Sequence, residues 1–311
     1  MVNIDFFIDF LKLSKWPATL FILFTLSQVH PQKAIYLKEP RLYPQYYKAI
    51  KKDRVEADLN IKNTKEKILY KNGWMEVTGK DKASQYNQLA VSFLNKYKWQ
   101  QALETLDMAI KKVPYLYALR FNRGRIYLYQ RNHRKAIIEF RKALGLVPIF
   151  FGNYFFLGKA YQLAADHDSA LYQYRLAYRY NPYSLVSLIA IGDLLIIQNR
   201  LTEAEKYYVY ALKIDDGYND ALIGMGKVAY KKGNFFDATL FFKMINYKKP
   251  YAKILHYYYA ESAFYNKMYP LAVLQYKKIL EYPNDEVFNI VSLSRMKFRL
   301  RQAEKFILRK N

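Results

Sequence analysis

YALRFNRGRIYLYQRNHRKAIIEFRKALGLVPIF, running from Tyr117 to Phe150, decides how the rest of the chain is read. Within it Gly124, Ala136 and Pro148 stand twelve residues apart, two small residues followed by a turn former. Steps of 34 residues in both directions find the same three slots again. The turn slot holds Pro114, Pro148, Pro182, Asp216, Pro250 and Asn284. The slot before it is always alanine: Ala102, Ala136, Ala170, Ala204, Ala238 and Ala272. The first slot is again small, with Ala90, Gly124, Gly158, Gly192, Gly226 and Ala260. A fixed period of this length marks a repeat architecture.

Two antiparallel helices approach closely only where a side chain is absent or a methyl group, provided that neighbouring positions supply bulk. The bulk lies four residues after each alanine, in Leu106, Phe140, Tyr174, Tyr208, Phe242 and Tyr276. These side chains are expected to wedge between successive hairpins. A second large slot, three residues after the first small one, holds Phe93, Tyr127, Tyr161 and Leu195 but falls to Ala229 and Ala263. The last two hairpins are therefore expected to pack differently.

Taken together, the small residues, the aromatics, the second-helix alanine and the closing proline resemble the tetratricopeptide-repeat family over residues 83–284. The resemblance implies an all-α fold, a right-handed superhelical α-solenoid of six helical hairpins at 83–116, 117–150, 151–184, 185–218, 219–252 and 253–284. A single hairpin cannot bury its apolar face, so stability comes from stacking at least three of them. The last face needs a cap. Residues 285–311 supply one, an amphipathic helix over Glu286 to Arg309 with Val287, Ile290, Val291, Leu293, Phe298 and Leu300 inward and Arg295, Lys297, Arg299 and Arg301 outward.

Residues 31–82 do not follow the repeat and read as a preface. Tyr46 to Ile61 is expected to be helical, and Asn72-Gly73 within Lys71–Gly79 signals either a hairpin or an ordered loop. Residues 1–30 carry Lys12 and Lys15 ahead of the apolar Trp16–Leu26, a length suited to an export signal and short of the ~20 residues of a bilayer span. Cleavage is best placed at Thr25-Leu26-Ser27, and an uncleaved anchor would attach the protein to a membrane. Asp5, Asp9 and Pro17 argue instead for an amphipathic helix docked on the first repeat or lying at a membrane surface.

The chain has 311 residues and a formal net charge of +24, with no cysteine. Disulfides, thiolate metal sites, cysteine nucleophiles and a lipoprotein anchor are thereby excluded. The basic residues are dispersed rather than run together, which disfavours a nucleic-acid arm, and an AT-rich coding sequence alone enriches Lys, Ile, Asn and Tyr. No metal spacing joins His30, His133, His167 and His256, and Asp166-His167-Asp168 reads as a polar turn. Gly224-Met-Gly226 lacks the third glycine of a dinucleotide fingerprint. No catalytic, cofactor-binding or metal-binding residue is assigned.

What the resemblance implies about partners is a concave groove lined by the fifth and ninth positions of each repeat. These are Asn87 and Val91, Phe121 and Arg125, Phe155 and Lys159, Ile189 and Asp193, Ile223 and Lys227, and Tyr257 and Glu261. An apolar track with interposed charges suits an amphipathic helix or extended segment of a protein partner. The preface could fill part of that groove instead. The carboxylate clamp of the family's chaperone-tail receptors is matched by Asn122 alone, since Asn87, Val91, Gly152 and Phe156 stand where other residues belong. The leading expectation is a non-enzymatic scaffold, exported to the periplasm, in a multiprotein envelope machine such as a secretion apparatus or flagellar motor. The alternatives are a basic module on an anionic polymer or membrane surface and a cytoplasmic regulator.

Overall fold

The structure is a computed structural model describing residues 55–58, 67–71, 73–148, 150–245, 253–280 and 292–309. The chain divides within its third helix into two compact units, Met1–Asn122 and Arg123–Asn311. The signal or anchor expected over residues 1–30 lies outside the described residues.

In the first unit three strands, β1 (Val55–Asp58), β2 (Lys67–Lys71) and β3 (Trp74–Thr78), form an antiparallel sheet in that order. The Asn-Gly signal is resolved as a hairpin. Gly73 takes φ 84°, and Lys71 pairs with Trp74 across it. The helix expected from Tyr46 to Ile61 is corrected over its described part, because Val55–Asp58 pairs as a strand with Lys67–Tyr70. Helices α1 (Lys82–Asn95) and α2 (Trp99–Lys112) follow, then α3 (Tyr117–Tyr129), which crosses the division. Asp81 caps α1 by accepting from the Ala83 and Ser84 amides.

The second unit continues the array through α4 (His133–Leu146), α5 (Phe151–Leu163), α6 (His167–Tyr180), α7 (Leu185–Ile197), α8 (Leu201–Ile214), α9 (Asn219–Lys231), α10 (Phe235–Met244), α11 (Lys253–Tyr265) and α12 (Tyr269–Leu280). It closes with α13 (Leu293–Leu308). The helices pair consecutively, as the 34-residue register requires, and the fold of the array is all-α.

The wedges sit where the spacing places them. Phe140, Tyr174, Tyr208, Phe242 and Tyr276 are all buried, as are the paired alanines. A Cβ added at Gly192 would lie 2.6 Å from the Tyr208 ring, and one at Gly226 would lie 2.5 Å from Phe242. Gly224 meets Tyr208 from the other side, at 2.2 Å. One wedge is thus clasped by the first helices of two successive hairpins, and both glycines of Gly224-Met-Gly226 serve packing. At Ala229 and Ala263 the missing bulk comes from the next residue along. Tyr230 packs on Phe235 and Tyr258, and Phe264 packs on Tyr269.

Each first helix ends on a left-handed residue in strict register: Tyr97, Arg131, Ala165, Asn199, Gly233 and Lys267, with φ between 57° and 81°. In the third hairpin the Ala165 amide bonds the Gln162 carbonyl and the Asp166 amide bonds that of Tyr161, closing the helix by a Schellman motif. Only one of the six positions is glycine, so this slot left no compositional trace.

The C-terminal helix departs from expectation in phase. Its described part runs from Leu293, capped by the Ser292 hydroxyl accepting from the Arg295 amide, and the stretch expected from Glu286 to Val291 lies outside the described residues. Met296 and Ala303 are the residues it buries, with Leu300 packed beside them. Phe298, expected inward, is 59% exposed, and Arg299, expected outward, lies against α11.

Candidate functional site

Of the twelve fifth- and ninth-position residues six are buried and six reach the surface. In the first unit, the groove face of α1 and of the start of α3 is taken by β3. The Asn122 side chain accepts from the Met75 amide and donates to the Met75 carbonyl, both at 2.8 Å. Asn87 accepts from the Val77 amide at 2.9 Å, and Gln88 donates to the Val77 carbonyl at 2.9 Å. An isolated sheet edge leaves a row of unpaired backbone groups. Here three side-chain amides take the place of the missing strand, while Trp74, Met75 and Val77 are buried.

Asn87, Val91 and Phe121 are all buried, which corrects their assignment as partner contacts. Asn122, the lone match to a carboxylate clamp, holds the backbone N–H and C=O of Met75 instead. Its amide carries both N–H donors and a carbonyl acceptor, which complements a backbone N–H and C=O together.

At the other end of the array, Tyr257 and Glu261 are buried in the packing of α11, α12 and α13. The Tyr276 hydroxyl donates to Glu261 in a short hydrogen bond, and Arg299 Nε lies 3.8 Å from the same carboxylate. The Arg299 guanidinium also covers the Phe264 ring at 4.7 Å and donates to the Tyr265 hydroxyl at 2.6 Å. These two groove assignments are corrected as well, because Glu261 has its wedge tyrosine and the cap helix as partners. Arg125 is likewise buried, its guanidinium 4.1 Å above the Phe156 ring and bonded to the Tyr129 hydroxyl.

The six remaining residues, on α5, α7 and α9, reach the surface. Phe155, Ile189 and Ile223 are half-buried, one apolar fifth-position residue per helix. Phe155 packs at 5.5 Å on the Tyr174 ring. Beside them lie Lys159, Asp193 and Lys227, a carboxylate flanked in the repeat order by two ammonium groups. Lys159 reaches water, yet burial by the surrounding protein holds its pKa below the ordinary lysine value, with the Arg125 charge adding to the shift. Burial pushes Asp193 above the usual carboxylate range, against the opposing pull of Lys227 and of the Tyr208 hydroxyl, which donates to it at 2.8 Å.

Asp193 with Tyr208 and Glu261 with Tyr276 are the same device, an acid and a wedge hydroxyl fifteen residues apart. Where the wedge is Leu106, Phe140 or Phe242, the ninth position holds Val91, Arg125 or Lys227 and no acid. Tyr174 finds its acceptor in Gln162 at 2.8 Å. The pairing of acid with tyrosine was visible in the sequence and marks these acids as packing partners before they are ligands.

The polar turn has structural duties too. Asp166 caps α6 by accepting from the Ser169 amide, and Asp168 accepts from Gln198. Among the described residues no group of three His, Asp or Glu is placed to hold a metal ion.

The sequence profile of the tetratricopeptide repeat matches residues 117–148. Compared with curated protein sequences, the chain matches none. Among solved structures, it resembles a tetratricopeptide-repeat protein from Parabacteroides merdae ATCC 43184 with 20% identity and a TM-score of 0.58, over 72% of this chain and 93% of that one. PilW, a widely conserved type IV pilus biogenesis factor, aligns with 17% identity and a TM-score of 0.58 over 72% and 99% of the two chains. PilF of Pseudomonas aeruginosa gives 14% and 0.59 over 72% and 96%. At these identities what is shared is the fold.

Proposed function

We propose that this tetratricopeptide-repeat array is a non-enzymatic scaffold that holds a segment of another protein against α5, α7 and α9. The observation that carries the reading is the surviving accessible row, Phe155, Ile189 and Ile223 beside Lys159, Asp193 and Lys227. Apolar anchors give such a site its affinity, and the partly desolvated charges give it register and selectivity. The other six candidates are already engaged within the protein.

A photo-crosslinking residue at position 155 or 189, in cells, should give discrete protein adducts. The same residue at Tyr172, exposed on α6, should not. Equal adducts at 172 would refute the assignment. The competing reading, an anionic polymer or membrane surface bound through the +24 charge, requires affinity to fall steeply with salt. Binding that resists salt but fails in Phe155→Ala excludes it.

We further propose export to the cell envelope and service in a multiprotein machine there, such as a secretion apparatus or periplasmic flagellar motor. The support is Lys12 and Lys15 preceding the apolar Trp16–Leu26, together with a fold that a type IV pilus biogenesis factor also uses. Sequencing the mature amino terminus after cell fractionation tests it. An intact Met1 in a cytoplasmic, soluble protein would remove both export and anchoring.

A further inference from the structure

Second helices of the array are fourteen residues long in α4, α6 and α8, but α10 stops after ten, at Met244. Along its outer face Phe236, Leu240 and Met244 follow one another at four-residue spacing and are 60%, 44% and 62% exposed. Spaced so, they form one stripe about 12 Å long. Beside it, α10, α11 and the start of α12 border an open cavity of about 280 Å³, lined by Phe236, Leu240, Met268 and Leu271, with the buried Tyr259 and a single charged residue, Lys243. Leu274, one turn along α12, is also half exposed. Contiguous apolar surface around a depression is unusual on a face meant only for water.

Charge selects the occupant. Among the described side chains of residues 231–280 the exposed charges are Lys231, Lys232, Lys243, Lys267, Lys277 and Lys278 against Asp237, since Glu261 is buried. Lys232 is paired with Glu205 and Lys277 with Glu304, whereas Lys243 lines the cavity itself and Lys267 lies between two of its lining residues, Asn266 and Met268. A second copy of the chain, itself at +24, would meet like charge here. An anionic bilayer would match the lysines, but a cavity between helices receives a projecting side chain better than a flat lipid surface.

We propose that the α10 face is a second docking surface, separate from the α5–α7–α9 row, and that it takes an acidic amphipathic helix of a partner protein. One apolar side chain of that helix enters the cavity, others lie along Phe236, Leu240 and Met244, and its carboxylates face Lys243 and Lys267. With two surfaces the array can join two partners.

The probe is a synthetic helical peptide with Leu at positions i, i+4 and i+7 and Glu elsewhere, titrated by fluorescence anisotropy into the full chain. A scrambled peptide of equal composition and anionic phospholipid vesicles serve as the other arms. Leu240→Glu should weaken the peptide at least about tenfold, as expected for loss of an interface anchor. Lys243→Gln should weaken it less and flatten its salt dependence, and Phe155→Ala should leave it unchanged. Leu240 is half exposed, so Leu240→Glu should fold, and an unchanged melting temperature checks this; Phe236→Ser is the second variant. The proposal is overturned if the scrambled peptide binds equally, or if neither stripe variant weakens the peptide. It is equally overturned if vesicle binding or self-association, rather than peptide binding, is what the variants abolish. Loss of binding in Phe155→Ala alone would assign the peptide to the other row and leave this face empty.

Discussion

Replacing Asn122 by alanine should release β3 from the helices while leaving the repeat array folded. The side chain makes two buried hydrogen bonds to one residue, to the amide and carbonyl of Met75, each at 2.8 Å. Removing it strands two buried backbone groups, and each such group costs ~1–3 kcal/mol. The sum is about 2–6 kcal/mol, but both groups regain water once the strand undocks, so docking should weaken by about 2–4 kcal/mol, in the lower part of that range. Hydrogen exchange by mass spectrometry reads this directly, because at 1.4 kcal/mol per decade the amides of Met75 and Val77 should exchange roughly thirtyfold to several hundredfold faster. Gln88→Ala, which removes one partly buried bond to Val77, should produce a smaller change, of about 1 kcal/mol. Asn122→Asp keeps the volume and the acceptor but not the donor, and should fall between. The reasoning fails if exchange over residues 74–78 is unaffected in Asn122→Ala. It also fails if all helices lose protection equally, because Asn122 would then be an ordinary core residue of α3.

Gly192→Ala should cost about 1–3 kcal/mol by driving a methyl into the Tyr208 ring, and Tyr208→Leu in the same chain should recover part of the loss by denaturant titration. Ala165→Gly should stabilise by roughly 0.5–1 kcal/mol, because alanine at φ 61° carries a steric cost that glycine lacks, whereas Gly233→Ala at φ 81° should destabilise by about 1 kcal/mol. For Asp193 the folded pKa lies above the unfolded one, so its contribution is most favourable at low pH and is lost as pH rises through the folded pKa. Asp193→Asn should accordingly gain stability relative to wild type near pH 7, and that gain should shrink as pH falls toward the carboxylate range. A gain independent of pH would refute burial of the charge as the cause.

The turn residue, the paired alanines and the wedges were legible because a solenoid repeats the same contact, so each physical requirement is written six times in the sequence. Half of the groove was not legible, for the opposite reason. The grip of Asn122 on Met75 joins residues 47 apart and occurs once, and an amide side chain looks the same in sequence whether it will meet a partner's carboxylate or the chain's own backbone. Glu261 was read as a groove charge because position alone was consulted, without asking which hydroxyl its own wedge would need to satisfy.

By itself, then, the sequence determined the number of hairpins, their register and the close-packed slots, since burying one face of each hairpin against the next leaves a periodic requirement on size. Tertiary structure alone decided which groove positions still face water. That depends on where two non-repeating elements come to rest. One is a strand held by Asn87, Gln88 and Asn122, and the other is a cap helix whose Arg299 turns inward to Glu261. Such aperiodic contacts are fixed by geometry between distant residues and leave no pattern along the chain.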